Sequence, residues 1–72
     1  MLKNLEEARQ AKNITLNQIA LVLGLNKYQT VSEKIRGISK FSFDEAVKVQ
    51  RTLFPEYDLV HLFTDEDDSL TA

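Results

Sequence analysis

Few side chains in this sequence have the types and spacing that catalysis or metal binding needs. His61 is the single histidine and there is no cysteine, which predicts neither a zinc site nor a catalytic triad. The acidic run 65–68 lacks the spacing and the glycine of a calcium loop. No basic side chain is positioned to activate a serine or threonine. We therefore expect a non-enzymatic protein with no catalytic residue, metal, cofactor or small-molecule substrate.

The charge is divided unevenly along the 72 residues, whose net charge is −2. Residues 1–40 carry seven bases and three acids, whereas residues 41–72 carry two bases and eight acids. The first part can therefore face phosphates while the second avoids them; the alternative is an ordinary solvated surface with an acidic tail. The charged N-terminal residues do not resemble a secretory signal, and no apolar run approaches the ~20 residues that span a bilayer. We expect a cytoplasmic protein with no membrane partner.

Apolar residues recur at helical spacing along most of the chain and predict an all-α domain. The stripe Leu2, Leu5 and Ala8 is an example. The predicted helices cover about residues 2–12, 16–23, 27–36, 43–54 and 56–63. We expect residues 1–63 to form this domain and residues 64–72 to form a disordered acidic tail.

Several helix ends carry local signals. Thr15 with Gln18, and Ser42 with Glu45, have the spacing of capping boxes, in which each side chain accepts a hydrogen bond from the other residue's backbone N–H. Gly24 is expected to end the second helix in the left-handed conformation that glycine adopts at low cost.

The last three predicted helices differ in which side they bury. The third has a narrow apolar stripe, Val31 and Ile35, and is otherwise polar. Asn26 or Lys27 opens it, and Asn26 is by type the better cap. The fourth is expected to bury Phe43 with its other apolar residues. In the fifth, His61 is expected to point outward.

Four blocks of this sequence, in order, resemble the lambda-repressor/Cro-like (XRE) helix-turn-helix family. They are TLNQIA at 15–20, VLGL at 22–25, TVSEKIRG at 30–37 and FSFDEA at 41–46. The last two look most like small regulators of temperate phages of low-GC Gram-positive bacteria. The resemblance covers about two-thirds of the chain. It implies a five-helix domain with the helix-turn-helix at helices 2 and 3, acting on the lysis–lysogeny switch in the bacterial cytoplasm.

In that family the start and outward side of the third helix read operator DNA. The resemblance implies that Gln29 can pair with adenine and that Glu33 can accept from cytosine N4, while basic residues contact phosphates and set register. Carried onto this chain, the DNA-binding residues are Lys27, Tyr28, Gln29, Thr30, Ser32, Glu33, Lys34, Arg36 and Lys40. The alternative is an ordinary polar helix face.

Three features depart from the family pattern. One extra residue separates Gly24 from Thr30, leucine occupies positions 16 and 21 where the family usually has polar residues, and the net charge is negative. Leucines cannot bond a phosphate but can anchor a protein interface. A second function is therefore that of an antirepressor, or modulator of repression, which binds the cognate phage repressor. Its predicted partner-binding residues are Leu16, Asn17, Leu21 and Tyr28.

The last predicted helix leaves the oligomeric state open. Its apolar side chains can form the seam of a homodimer, as in some relatives, or close the core of a monomer. These residues are Tyr57, Leu59, Leu62 and Phe63.

Overall fold

Five α-helices make up residues 1–64, the part of the chain that the computed structural model describes, and no strand is present there. The helices are α1 (Lys3–Ala11), α2 (Leu16–Leu23), α3 (Tyr28–Arg36), α4 (Phe43–Leu53) and α5 (Leu59–Phe63). The predicted all-α fold of five helices is thus confirmed. Within this described part, no helix is both long and apolar enough to cross a bilayer. Most of the predicted acidic tail, 65–72, lies outside the described residues.

Both predicted capping boxes are present. The Thr15 hydroxyl accepts from the backbone N–H of Gln18 at 3.1 Å, and the Gln18 side chain accepts from the backbone N–H of Thr15 at 2.6 Å. Ser42 and Glu45 make the same two bonds at 3.2 and 2.9 Å. Each box satisfies backbone donors that the first turn of a helix leaves without an intrahelical partner, which is why α2 and α4 begin where the sequence predicts.

A glycine in the left-handed conformation ends each of the helices α2 and α3. Gly24 follows α2 with φ +72° and Gly37 follows α3 with φ +93°. These left-handed conformations are unfavourable for residues with a Cβ. The left-handed Gly24 that the sequence predicts is confirmed, and it turns the chain so that α3 packs back against α2.

The sequence left Asn26 and Lys27 open as the start of α3 and favoured Asn26 as its cap; that preference is wrong, and so is the expected start of the fifth helix. Lys27, not Asn26, is the N-cap of α3; its backbone is extended (φ −131°) and no side chain caps the helix. The fifth helix begins at Leu59 rather than at residue 56. Pro55 is followed by a turn, and the Asp58 carboxylate then caps α5 by accepting from the backbone N–H of His61 at 3.0 Å. This cap places the helix start three residues later than the apolar pattern predicts.

The core lies where α1, α2 and α4 meet their neighbours. Helix α2 packs against α3 and α4, and α1 packs against α5 and α3. Phe54 is fully buried; the Tyr57 ring meets it edge-on, with centroids 5.9 Å apart, and Lys12 Nζ lies 5.5 Å from its centroid. The other buried apolar residues are Leu2, Leu5, Ala8, Ile14, Ile19, Ala20, Val31, Ile35, Ala46, Val49 and Leu62. This core holds one side of α3 and leaves the other side outside it.

Candidate nucleic-acid interface

Helix α3 has one buried side and one exposed side. Val31 and Ile35 are buried in the core. Gln29, Glu33 and Arg36 are exposed and follow the i, i+4, i+7 spacing that aligns side chains along one side of a helix. All three residues lie within α3, which begins at Tyr28, and they lie on the side away from Val31 and Ile35. The exposed side offers an amide, a carboxylate and a guanidinium within two turns.

Apart from Lys34, the other residues of the predicted DNA-binding set are either exposed or half-buried. Lys27, Tyr28 and Lys40 are exposed, while Thr30 and Ser32 are half-buried. Thr30 and Ser32 lie next to Val31 in α3, so they lie between the buried stripe and the exposed side. They are the short side chains in this set, and their partial burial leaves the longer Gln29 and Glu33 projecting beyond them.

Three cations lie on or beside this exposed side. Lys27 precedes α3, Arg36 is its last residue, and Lys40 follows in the loop to α4. Within residues 1–64 their side chains make no hydrogen bond or ion pair to another side chain or to the backbone. A lysine or arginine in this condition keeps its donors for an anion.

Lys34 differs from these three cations because it is engaged within the protein. Its Nζ donates to the backbone carbonyl of Lys40 at 3.0 Å and lies 3.2 Å from Glu45 Oε1. It also lies 5.8 Å from the centroid of the Phe41 ring, and its side chain is 14% exposed. Sequence reasoning assigned Lys34 to phosphates; the structure gives it contacts that hold the α3–α4 loop against α4.

The Glu45 carboxylate is stabilised in its charged form by its contacts with Ser42 and Lys34. Its pKa is lowered from the ordinary value of 4.5, first by the hydrogen bond from the backbone N–H of Ser42 and then by Lys34, against the opposing effect of partial burial. The Lys34–Glu45 contact spans eleven positions of sequence, so no helical spacing signalled it.

The start of α2 contributes less open surface than the sequence predicts. Leu16 is half-buried and packs against the core cluster. It lines a recess that also includes Ser32 and Arg36, so it lies beside the second half of α3. Asn17 is exposed, and Leu21 is 77% exposed, as its expected position on the solvent side of α2 requires.

Sequence reasoning missed an exposed apolar surface after α3. Phe43, expected on the inner side of α4, is 75% exposed, and Ile38 in the loop is 65% exposed. Phe43 is the first residue of α4, whereas the residues that this helix buries, Ala46 and Val49, lie one and two turns further along. The apolar spacing of α4 therefore predicted burial of Phe43, although this residue lies beyond the end of the core.

No family model, no curated protein and no solved structure matches this chain. The resemblance to helix-turn-helix regulators therefore depends on the four sequence blocks.

The side-chain placement in residues 1–64 bears on a metal site only. No group of three histidine, aspartate or glutamate side chains in that range is arranged to hold a metal ion. His61 is exposed as predicted, and its backbone carbonyl accepts from Asn4 Nδ2 at 3.0 Å. The contact joins α5 to α1.

Proposed function

We propose that this protein is a transcription regulator that binds operator DNA through α3, in the manner of phage-type helix-turn-helix proteins. The observation that carries this proposal is the two-sided character of α3. Val31 and Ile35 hold the helix to the core, while Gln29, Glu33 and Arg36 project from it. The cations before and after the helix have no side-chain partner among the described residues. A helix held in this way can enter the major groove, which is about 12 Å wide.

The connection between α2 and α3 supports the same proposal. Residues 24–27 join the two helices, beginning with the left-handed Gly24. Helix-turn-helix units have a turn of about three to four residues that often contains glycine. The capping box at Thr15 and the buried Ala20, through which α2 packs closely, fit the family pattern as well.

Roles within the site follow from side-chain chemistry. The Gln29 amide can pair with adenine N6 and N7, and the Glu33 carboxylate can accept from cytosine N4. Lys27, Arg36 and Lys40 bind phosphates and set register. Tyr28, at the start of α3, lies where it can contact a sugar or a phosphate. Lys34 acts indirectly, by holding the backbone of the loop that carries Lys40.

Titration of a duplex from the promoter region beside the gene tests this proposal, with a scrambled duplex for comparison and a series of salt concentrations. Gln29→Ala should weaken binding to the promoter duplex by roughly 5- to 100-fold while leaving the scrambled duplex nearly unaffected. Arg36→Ala should weaken binding to both and reduce the salt slope by about 1. Arg51→Ala, which removes an exposed arginine on α4, is the matched control.

The outcome of this titration is decisive at low salt, where phosphate contacts are strongest. If the wild-type chain does not bind the promoter duplex there, or if Arg51→Ala weakens binding as much as Arg36→Ala does, DNA reading by α3 is wrong.

A second candidate function is that of an antirepressor, and the exposure of Leu21 favours it. A leucine that is 77% exposed on α2 offers apolar area to a partner, and Asn17 lies one turn before it on the same helix. The partner in this case is a lambda-repressor-like repressor encoded beside the gene. Tyr28 supplies a large side chain of low conformational entropy, as interface anchors do. Leu16 contributes less, since it packs partly against the core.

The antirepressor function is tested by measuring binding to that repressor directly. Leu21→Asp should leave the fold intact and abolish the complex. Val60→Asp alters an exposed apolar residue of α5 (71% exposed) and is the matched control. Unchanged repressor binding by Leu21→Asp would remove this candidate.

A further inference from the structure

A recess of about 170 Å³ lies between the end of α3, the start of α4 and the end of α5. Its apolar lining includes Leu2, Phe41, Phe43 and Phe63, and the Phe41 and Phe63 rings meet edge-on with centroids 5.2 Å apart. The exposed Ile38 belongs to the loop whose residues line one wall. Such an apolar surface, next to polar residues, is typical of an interaction site.

The wall of this recess on the α3 side is basic. Residues 34–43 carry three bases and no acid, and two of these bases, Lys34 and Lys40, line the recess. Glu45 is already paired with Lys34, whereas the Lys40 side chain has no partner within residues 1–64. An occupant of this recess should therefore combine negative charge with an apolar side chain.

The C-terminal segment of this chain has that composition and starts at the right place. Phe63, the last residue of α5, lines the recess, and the chain continues from there as TDEDDSLTA. Residues 65–68 are all acidic, and Leu70 follows two positions later. Eight residues beyond Thr64 can span up to roughly 26 Å when extended, so the segment can easily return to a recess that begins at its own helix.

We propose that segment 65–72 binds this recess of its own chain, with the acidic run against Lys40 and Leu70 on the phenylalanine-lined floor. Because the segment is tethered at Phe63, its effective concentration at the recess is high and weak contacts are enough. This contact does not depend on what the protein binds.

One consequence does rest on the proposed DNA-binding function. Lys40 is among the cations that flank α3, so an acidic segment held against it competes with phosphate. DNA binding then requires displacement of the segment. The acidic segment therefore lowers the protein's nonspecific affinity for DNA. The more tightly the segment binds the recess, the lower that affinity is.

A spin label tests the contact in the full-length chain without DNA. The sequence has no cysteine, so Ala72→Cys accepts a nitroxide at a single position. Amide signals of Ser39, Lys40 and Phe43 should broaden, while those of Asn13 and Thr15, at the far end of α1, should not. Replacing residues 65–68 by their amides (Asp65→Asn, Glu66→Gln, Asp67→Asn, Asp68→Asn) should reduce the broadening at these three recess residues to the level that the tether alone produces. Glu7→Gln, an exposed acid on α1, is the matched control and should preserve it.

Two results would overturn this proposal. One is broadening of the recess signals that the amide replacements leave unchanged, since the tether alone then accounts for it. The other is broadening that appears when isotope-labelled chains without the nitroxide are mixed with unlabelled chains that carry it, since the recess then binds a second copy. A separate titration with DNA measures the consequence: the amide variant should bind about 2- to 5-fold more tightly at low salt. If the amide variant does not bind DNA more tightly although the spin-label experiment shows the expected result, the segment binds the recess but does not compete with DNA.

Discussion

Lys34 Nζ donates to the backbone carbonyl of Lys40 at 3.0 Å, so a side chain of α3 holds the main chain of the loop that follows it. The same ammonium lies 3.2 Å from Glu45 at the start of α4. One cation thereby connects three consecutive parts of the candidate interface. The side chains of Arg36 and Lys40 have no such contacts within residues 1–64. Among three bases close in sequence, Lys34 therefore has a positioning role, and the other two are left for the proposed contact with phosphates.

Lys34→Met should therefore destabilise the protein, whereas Arg36→Ala should not. Methionine keeps much of the apolar stem but removes two charge-assisted contacts, which should lower the free energy of unfolding by about 1–2 kcal/mol. Arg36→Ala should stay within about 0.5 kcal/mol of wild type. Urea unfolding monitored by circular dichroism measures both. Equal losses in the two variants would contradict this division of roles.

Stability should depend on pH through Glu45. Its pKa is lowered in the folded state, so its contribution is fully present above the unfolded pKa of about 4.5 and is lost as the pH falls through the lower folded pKa. The pKa values of Glu6 and Glu56 are also lowered, chiefly by Arg9 and Lys12 respectively, and act in the same direction. The thermal midpoint should therefore fall as the solution is acidified below about pH 5.

Glu45→Gln isolates this residue's share. Glutamine keeps the oxygen that accepts from the backbone N–H of Ser42 but cannot carry a charge. The variant should melt below wild type at pH 7, and the difference should shrink as the pH falls and the wild-type carboxyl becomes protonated. Thermal melts between pH 7 and pH 3 measure it. A difference that stays constant over this range would show that Glu45 does not titrate as its contacts indicate.

Gly24→Ala tests the turn between α2 and α3. A Cβ at this position meets no heavy atom within 4 Å, but φ is +72°, so the cost is conformational and should be about 1–2 kcal/mol. Gly24→Asn should cost less, because asparagine tolerates the left-handed region better. Chemical denaturation of the two variants gives the comparison. If alanine and asparagine were equally destabilising, a steric cause would have to replace the conformational one.

The effect of burial on stability can be measured by substituting two phenylalanines, one buried and one exposed. Phe54 is 0% exposed and Phe43 is 75% exposed. Phe54→Ala should cost about 3–5 kcal/mol, which is comparable with the whole stability of a domain of this size, so the variant should be largely unfolded at 25 °C. Phe43→Ala should cost less than about 1 kcal/mol. Far-ultraviolet circular dichroism shows the contrast directly. A folded Phe54→Ala variant would contradict the central place of this residue in the core.

Local chemistry made much of the fold predictable. The capping boxes at Thr15 and Ser42 act within three residues, and Gly24 needs only its own backbone conformation. The apolar stripe of α3 also follows from spacing, because Val31 and Ile35 are one turn apart. Each of these signals depends only on residues close together in sequence, so the resulting structure can be predicted without knowing the fold.

Contacts between distant residues were not predictable in this way. The apolar period placed Phe43 inside, but the core ends before it reaches the first turn of α4. The family resemblance implied a phosphate contact for Lys34 and gave no sign of its contacts with Glu45 and the Lys40 carbonyl. The sequence by itself determined five helices, most of their ends and which side of α3 is polar, because hydrogen bonds and periodicity within a helix decide those features. Tertiary structure alone decided which cations have no partner within the described part of the chain and which apolar residues stay outside the core, because both depend on how far each helix end extends past its neighbours.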